Sequence, residues 1–184
     1  MRITHTPPPL PLLLTSKQLN DEAKNYFYDL AILRIEATAS FGHTSFFEEA
    51  FRQLTSAAFS PVENIRRVEV VFVWDTTWLR SDQAGCASAV FPALLLQRAA
   101  FVVHSLARAK DLREVTIRWY DSAEDEESVG LMRDIFRGFR GLMAQVRVER
   151  HYIAADAKPY RKSIAGRRRV EFQEIVEMGL DRLF

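Results

Sequence analysis

Four segments of the chain alternate apolar and charged residues in the same way, and this recurrence constrains the fold more than any other feature. The clearest of them is Ile65–Asp75, which reads IRRVEVVFVWD. Alternate residues of a β-strand point to opposite faces, and β-branched and aromatic side chains favour strands. The apolar side consists of Val68, Val70, Phe72 and Trp74. The other side begins with Arg67 and Glu69, so the segment predicts a strand with one apolar face and one mixed face.

Three weaker copies of this pattern occur at Ala31–Ala39, Leu112–Tyr120 and Gln145–Ile153. Segments with helical spacing of apolar residues lie before, between and after the four copies. These predicted helices are Leu12–Asp29, 45–59, Val90–Ala109, Val129–Met143 and Val170–Leu183. Strands that alternate with helices, without tight hairpin signals, indicate parallel strands joined by crossover helices.

Charged residues occupy the second side of all four predicted strands. They are Arg34, Glu36, Arg67, Glu69, Glu114, Arg118, Arg147 and Glu149. A doubly wound sheet would need apolar residues on both faces. We therefore predict an α/β fold of about four mainly parallel strands, with crossover helices on one face only, as in a two-layer unit similar to leucine-rich repeats. The strands are unequally spaced, which excludes a regular solenoid repeat.

These eight charged residues are candidates for binding a partner on an open sheet face. The alternative is that they pair with one another across strands on a solvated surface. The two interpretations are compatible.

Length and composition favour one globular domain. The chain has 184 residues, a formal net charge of +1 and a single cysteine, Cys86. The first segment, Met1–Pro11, contains four prolines and reads as an extended arm. It is either a disordered terminus or a polyproline-type segment that packs on the domain or is offered to a partner. We expect residues 12–184 to form a single α/β domain, without a signal peptide or membrane span, in the cytoplasm or nucleus.

The sequence contains few motifs of catalytic, cofactor or metal sites. Glycine-rich phosphate loops, HExxH and CxxC are absent, and the four histidines lack metal-ligand spacing. We therefore expect no cofactor, no metal site and no catalytic residue. One basic stretch with an interleaved aromatic residue is a candidate nucleic-acid site, since arginine contacts phosphate and aromatics stack on bases. Its residues are Lys158, Tyr160, Arg161, Lys162, Arg167, Arg168 and Arg169. A solvated loop, a nuclear-import segment and a dock for an acidic partner are the alternatives.

The stretch Leu12–Asp29, LLLTSKQLNDEAKNYFYD, resembles a helix common in fungal F-box-like hypothetical proteins. The matching residues are Gln18, Glu22, Ala23, Phe27 and Tyr28. The later NIRRVEV and LREVTI strands are similar to the degenerate leucine-rich-like units of that family. The family's F-box-like motif precedes this helix, and the proline arm stands in its place here. The resemblance implies a recognition module and no catalytic residue.

Together these features predict a non-catalytic module that recognises a macromolecule, most simply a protein, through the charged sheet face. A nucleic-acid-associated factor that uses the basic stretch is the alternative. Self-association is a further expectation, because the helix Val90–Ala109 is apolar nearly all round.

Overall fold

The computed structural model describes residues 1–38, 48–53, 61–74, 87–121 and 126–153. Residues 48–53, inside the predicted helix 45–59, are helical. The predicted helix Val170–Leu183 lies outside the described residues.

The described strands form one five-stranded sheet in which spatial order follows chain order. They are β1 Arg2–Ile3, β2 Ile32–Glu36, β3 Arg67–Trp74, β4 Glu114–Asp121 and β5 Gln145–Tyr152. Strands β2 to β5 are parallel, and β1 runs antiparallel to β2. The predicted α/β fold with mainly parallel strands is confirmed, with five strands in place of four. Strand β1 escaped prediction because two residues cannot show a periodicity.

The described helices are α1 Leu10–Leu13, α2 Lys17–Leu30, α3 Pro61–Asn64, α4 Ala87–Leu106 and α5 Glu126–Phe139. The predicted helix Leu12–Asp29 is thus two helices with a break between them. The break places the N-cap of α2 at Ser16, whose hydroxyl oxygen accepts a hydrogen bond from the Leu19 amide at 3.2 Å. Thr15 donates its own hydroxyl to the carbonyl of Pro11, at 2.9 Å.

The described helices pack on one face of the sheet. Because consecutive parallel strands are neighbours and crossovers are right-handed, each connection returns on the same side. The apolar sides of β3 and β4 are fully buried there, and the Phe72 ring lies 5.9 Å from Trp119 and 6.1 Å from Phe139 of α5. The main apolar cluster therefore lies between the sheet and the described helices, as the two-layer prediction requires.

Helix α4 is more fully covered than its composition suggested. Of the side chains described on it, 90–106, Leu96 is the only large apolar one that is exposed, at 37 %. Phe101 packs edge-on against Phe51, with ring centroids 5.3 Å apart. The apolar surface that suggested self-association is thus used inside the fold. None of the described helices is both long and apolar enough to cross a membrane.

An ionic cluster fixes the end of α2 to the starts of two strands. Arg66 and Arg113, which precede β3 and β4, both approach the Asp29 carboxylate, at 2.6 Å and 3.1 Å. The hydrogen bond from Arg66, helped by the positive charges of both arginines, lowers the pKa of Asp29. Arg66 also donates to the Asn25 side chain at 2.7 Å.

The proline arm packs against the domain, in agreement with one of the two interpretations of this segment. After β1, the Thr4 amide donates to the Ile32 carbonyl at 3.1 Å, and the Ile32 amide donates to the Thr4 hydroxyl at 3.0 Å. At the far end, the side-chain amide of Asn20 in α2 donates to the Leu13 carbonyl at 2.6 Å. The arm is therefore anchored on both sides of its prolines.

Candidate partner-binding face of the sheet

All eight predicted charged residues lie on the face of the sheet opposite the core, because each occupies an alternate position of its strand. Cross-strand register groups them into three neighbouring rows. The rows contain Arg67, Glu114 and Gln145; then Arg34, Glu69, Thr116 and Arg147; then Glu36, Val71, Arg118 and Glu149. We call this surface the charged face.

A chain of ion pairs crosses the charged face from β2 to β5. Glu69 lies between two arginines, with Arg34 at 3.1 Å and Arg118 at 3.4 Å. Arg118 continues to Glu149 at 3.0 Å. Four strands are thus linked through alternating charges, which is the arrangement that cross-strand pairing predicts.

A second chain of ion pairs runs along the row beneath. Glu114 lies 3.5 Å from Arg67 and 3.4 Å from Arg147. With four arginines and four glutamates, the eight residues have no net charge. The charged face therefore offers a pattern of signs rather than a field of one sign.

The charged face is not uniformly open. The side chains of Arg34 and Glu69 are only 15 % and 13 % exposed, and Val71 and Val73 on the same side of β3 are fully buried. Arg34 Nε and Glu69 Oε1 are close enough to pair but are not aligned as a hydrogen bond. The expectation of an open face therefore fails at this end, where β2 and β3 meet.

The other end of the charged face is accessible. The side chains of Arg147 and Glu149 are 60 % and 48 % exposed, while Arg118 and Glu114 are at 33 % and 25 %. We call these four residues, on β4 and β5, the open half. Arg67, at the start of β3, borders it with 44 % exposure.

An aromatic stack adjoins the open half. The rings of Tyr120 and His151 are nearly parallel, with centroids 4.6 Å apart and planes at 19°. They occupy the next row of the same face, and His151 Nε2 lies 3.8 Å from Glu149. A flat aromatic surface beside exposed arginine is a combination enriched at protein interfaces.

Sequence reasoning missed a set of buried polar groups where the parallel strands end. The Thr38 hydroxyl accepts from the Val73 amide at 3.3 Å, and Arg98 donates to the Ala37 carbonyl at 3.1 Å. These contacts satisfy backbone groups that no longer have a strand partner.

The indoles of two tryptophans belong to the same set. Trp74 donates to the Ser128 hydroxyl and Trp119 to the Asp121 carboxylate, both at 3.1 Å. The signal was available in the sequence, since a buried indole N–H needs an acceptor. Each of these polar side chains thus has a structural partner at the edge where α/β proteins often bind ligands.

Among the residues that the structure describes, no group of three or more histidine, cysteine, aspartate or glutamate side chains is placed to share a metal ion. The predicted nucleic-acid residues all lie outside the described ranges. They are Lys158, Tyr160, Arg161, Lys162, Arg167, Arg168 and Arg169.

No protein-family model, no curated protein and no solved structure matches this chain.

Proposed function

We propose that this protein is a non-catalytic recognition module that binds a protein partner through the open half of its charged face. The observation that carries the proposal is the exposure of Arg147 and Glu149 at the accessible end of a cross-strand ion-pair network. The role is of the kind that the resemblance to fungal F-box-like proteins implies.

The ion pairs prepare this surface for binding. Long charged side chains lose conformational entropy when an interface immobilises them. Here Glu114 and Arg118 are already held between oppositely charged neighbours on both sides. A partner with the complementary order of signs would meet side chains already in position, and one with the wrong order would meet like charges. Such complementarity mainly sets specificity and association rate.

The charge balance favours a protein over a nucleic acid at this face. Binding to a phosphate backbone depends on a surplus of lysine and arginine that releases counterions. The eight residues of the charged face sum to zero. A nucleic-acid-associated role would have to draw on the basic stretch 158–169 instead.

The test compares proteins retained from the native cell by the wild type and by the variant carrying Arg147→Glu with Glu149→Arg. This double change keeps the net charge and reverses the signs of the open half. Thermal unfolding checks that the variant is folded. We expect the variant to retain about tenfold less of a specific partner.

The matched control reverses an exposed ion pair on a helix. Asp134 and Arg137 of α5 lie 3.5 Å apart with side chains 55 % and 81 % exposed, so Asp134→Arg with Arg137→Glu is an equivalent change away from the sheet. The control should retain the partner at wild-type levels. Equal retention by all three proteins contradicts the proposal.

A further inference from the structure

A second surface, which shares no residue with the charged face, lies between the proline arm and α2. It is an apolar groove of about 850 Å³. Its lining comprises His5, Thr6, Pro7, Pro8, Pro9, Leu12, Leu19, Glu22, Ala23, Tyr26, Phe27 and Leu30. Of the ten large apolar side chains exposed in the described part of the chain, six fall between residues 10 and 30. Four of these six, Leu12, Leu19, Tyr26 and Leu30, line the groove, and such a concentration is typical of an interaction site.

The wall that α2 provides is spaced for a helix. Leu19, Ala23, Tyr26 and Leu30 follow one another at intervals of four, three and four residues, which is the seam spacing of helices that pack side by side. This row spans about 17 Å of helix axis. Tyr26 is 70 % exposed, and Leu19 and Leu30 are 40 % and 41 % exposed. A second stripe of α2, with Phe27 and Tyr28, is buried in the core, so the exposed row is additional to what the fold requires.

The opposite wall cannot pair with a strand. Pro7, Pro8 and Pro9 have no backbone N–H to donate, so this wall lacks the amides with which a sheet edge binds an extended peptide. A strand would find no amide donors along these three residues, whereas an occupant that satisfies its own backbone groups needs none. A helix does so, and an amphipathic helix in an apolar groove is an established mode of peptide recognition.

The charge of the groove lining indicates which kind of helix it would bind. Glu22 is the only lysine, arginine, aspartate or glutamate in the groove lining, and it stands one helical turn before Tyr26 on the rim. It accepts a hydrogen bond from Gln18 at 2.9 Å, which leaves its negative charge in place. A second copy of the groove would bring another Glu22 and no lysine or arginine to meet it. A basic side chain flanking the apolar stripe of the occupant is the complementary choice.

We infer that this groove binds an amphipathic helix of a partner protein, with an apolar stripe against Leu19, Tyr26 and Leu30 and a lysine or arginine beside Glu22. The proline arm serves as the fixed second wall, anchored by Thr4 at β2 and by Leu13 at α2. A preformed wall reduces the ordering that binding demands.

The experiment uses the full chain and three labelled peptides of about 14 residues, about four turns of helix. One carries a leucine stripe flanked by lysines, the second has glutamates in place of the lysines, and the third has the first composition with a central proline. Binding is followed by fluorescence anisotropy. We expect the lysine peptide to bind, the glutamate peptide to bind about tenfold more weakly, and the proline peptide to lose binding.

Three variants locate the binding. Tyr26→Asp should weaken the lysine peptide by at least about tenfold, as for an anchor residue. Met143→Asp is the matched control, because Met143 is 97 % exposed and outside the groove, and it should bind as the wild type does. Glu22→Lys should reverse the preference between the lysine and glutamate peptides. Circular dichroism confirms that each variant is folded.

The inference is overturned if the lysine peptide does not bind. It is also overturned if the proline peptide binds as tightly as the lysine peptide, or if the Tyr26→Asp protein binds the lysine peptide as tightly as the wild type does. Light scattering addresses self-association. A dimer that Tyr26→Asp dissociates would assign the groove to a second copy and contradict a heterologous helix. The Arg147→Glu, Glu149→Arg variant should bind the lysine peptide normally, so the groove and the charged face succeed or fail independently.

Discussion

The two faces of the sheet are built from alternate residues of the same strands, yet they meet different physical demands. On the helix side, Val70, Phe72 and Ile117 are completely buried. On the charged side, the side chains of Arg147 and Glu149 are 60 % and 48 % exposed. Buried apolar surface supplies most of the stability of a fold, whereas exposed ion pairs contribute between about 0 and 1 kcal/mol each. The open half of the charged face is therefore the part of the sheet where substitutions cost the fold least.

Within the charged face itself, one ion pair is covered and another is exposed. The Arg34–Glu69 pair is largely covered, beside the buried Val71. The pair of Glu114 with Arg147 stands at the accessible end. Removing one partner of a covered ion pair destabilises the fold, whereas an exposed pair contributes little. Stability measurements can therefore separate the structural pairs of this face from those available to a partner.

The largest effect is expected from the apolar face. Phe72→Ala removes a fully buried ring that contacts Trp119 and Phe139, and should lower the free energy of unfolding by about 3–5 kcal/mol. Denaturant unfolding followed by circular dichroism measures it. A loss below about 1 kcal/mol would mean that this layer is not the core of the fold.

The covered end of the charged face should respond next. Glu69→Leu leaves Arg34 without its partner in a site where the arginine is 15 % exposed, and should destabilise the protein by about 1–3 kcal/mol. The same unfolding measurement applies.

The double variant Arg34→Met with Glu69→Leu provides the control for this pair. It replaces both charges with apolar groups of similar size, and should recover most of the stability that the single change loses. If the double variant is as unstable as Glu69→Leu, the loss does not come from the unpaired Arg34.

A pH dependence is expected on the helix side of the sheet. Burial of Tyr28, which is 4 % exposed, raises the pKa of its hydroxyl to about 12 from its ordinary 10.0. Because the folded state favours the neutral phenol, this contribution to stability is complete below pH 10 and is lost as the pH rises towards 12. Phenolate absorbance should titrate late for Tyr28, and Tyr28→Phe should remove this part of the alkaline loss of stability. An unchanged alkaline profile in Tyr28→Phe would show that Tyr28 does not titrate with unfolding.

The smallest effect on stability is expected at the open half. Arg147→Ala removes one exposed ion pair and should change the free energy of unfolding by less than about 0.5 kcal/mol. A loss above about 1 kcal/mol would assign Arg147 to the structural part of the charged face and weaken its proposed role in recognition.

The sheet and its two faces could be predicted from sequence because alternation is a local signal. The period of two in Ile65–Asp75 sets which side chains share a face, and the same period in three other segments places all eight charged residues on one face. The helical spacing of α2, α4 and α5 likewise needs only neighbours along the chain.

The features that could not be predicted depend on contacts between distant residues. Strand β1 exists because Arg2 and Ile3 pair with β2, about thirty positions away in the sequence, at Arg34 and Leu33. Val71 is fully buried although it lies on the charged side of β3, between Glu36 and Arg118 in the register. The N-cap of α2 is Ser16. Thr15 carries an equivalent hydroxyl, so the sequence alone does not show at which of the two residues the helix begins.

The groove along α2 was hidden for a related reason. The sequence shows the apolar row of α2 and the prolines separately. Only the anchors at Thr4 and Leu13, which join the arm to β2 and α2, bring the two walls together.

The most direct test of recognition by the open half is the affinity of a purified partner for the Arg147→Glu, Glu149→Arg variant, measured by calorimetry beside the wild type and the Asp134→Arg, Arg137→Glu control. We expect a loss of about tenfold or more for the sheet variant alone, with unchanged thermal stability and a smaller difference at high salt. An affinity equal to that of the wild type would contradict it.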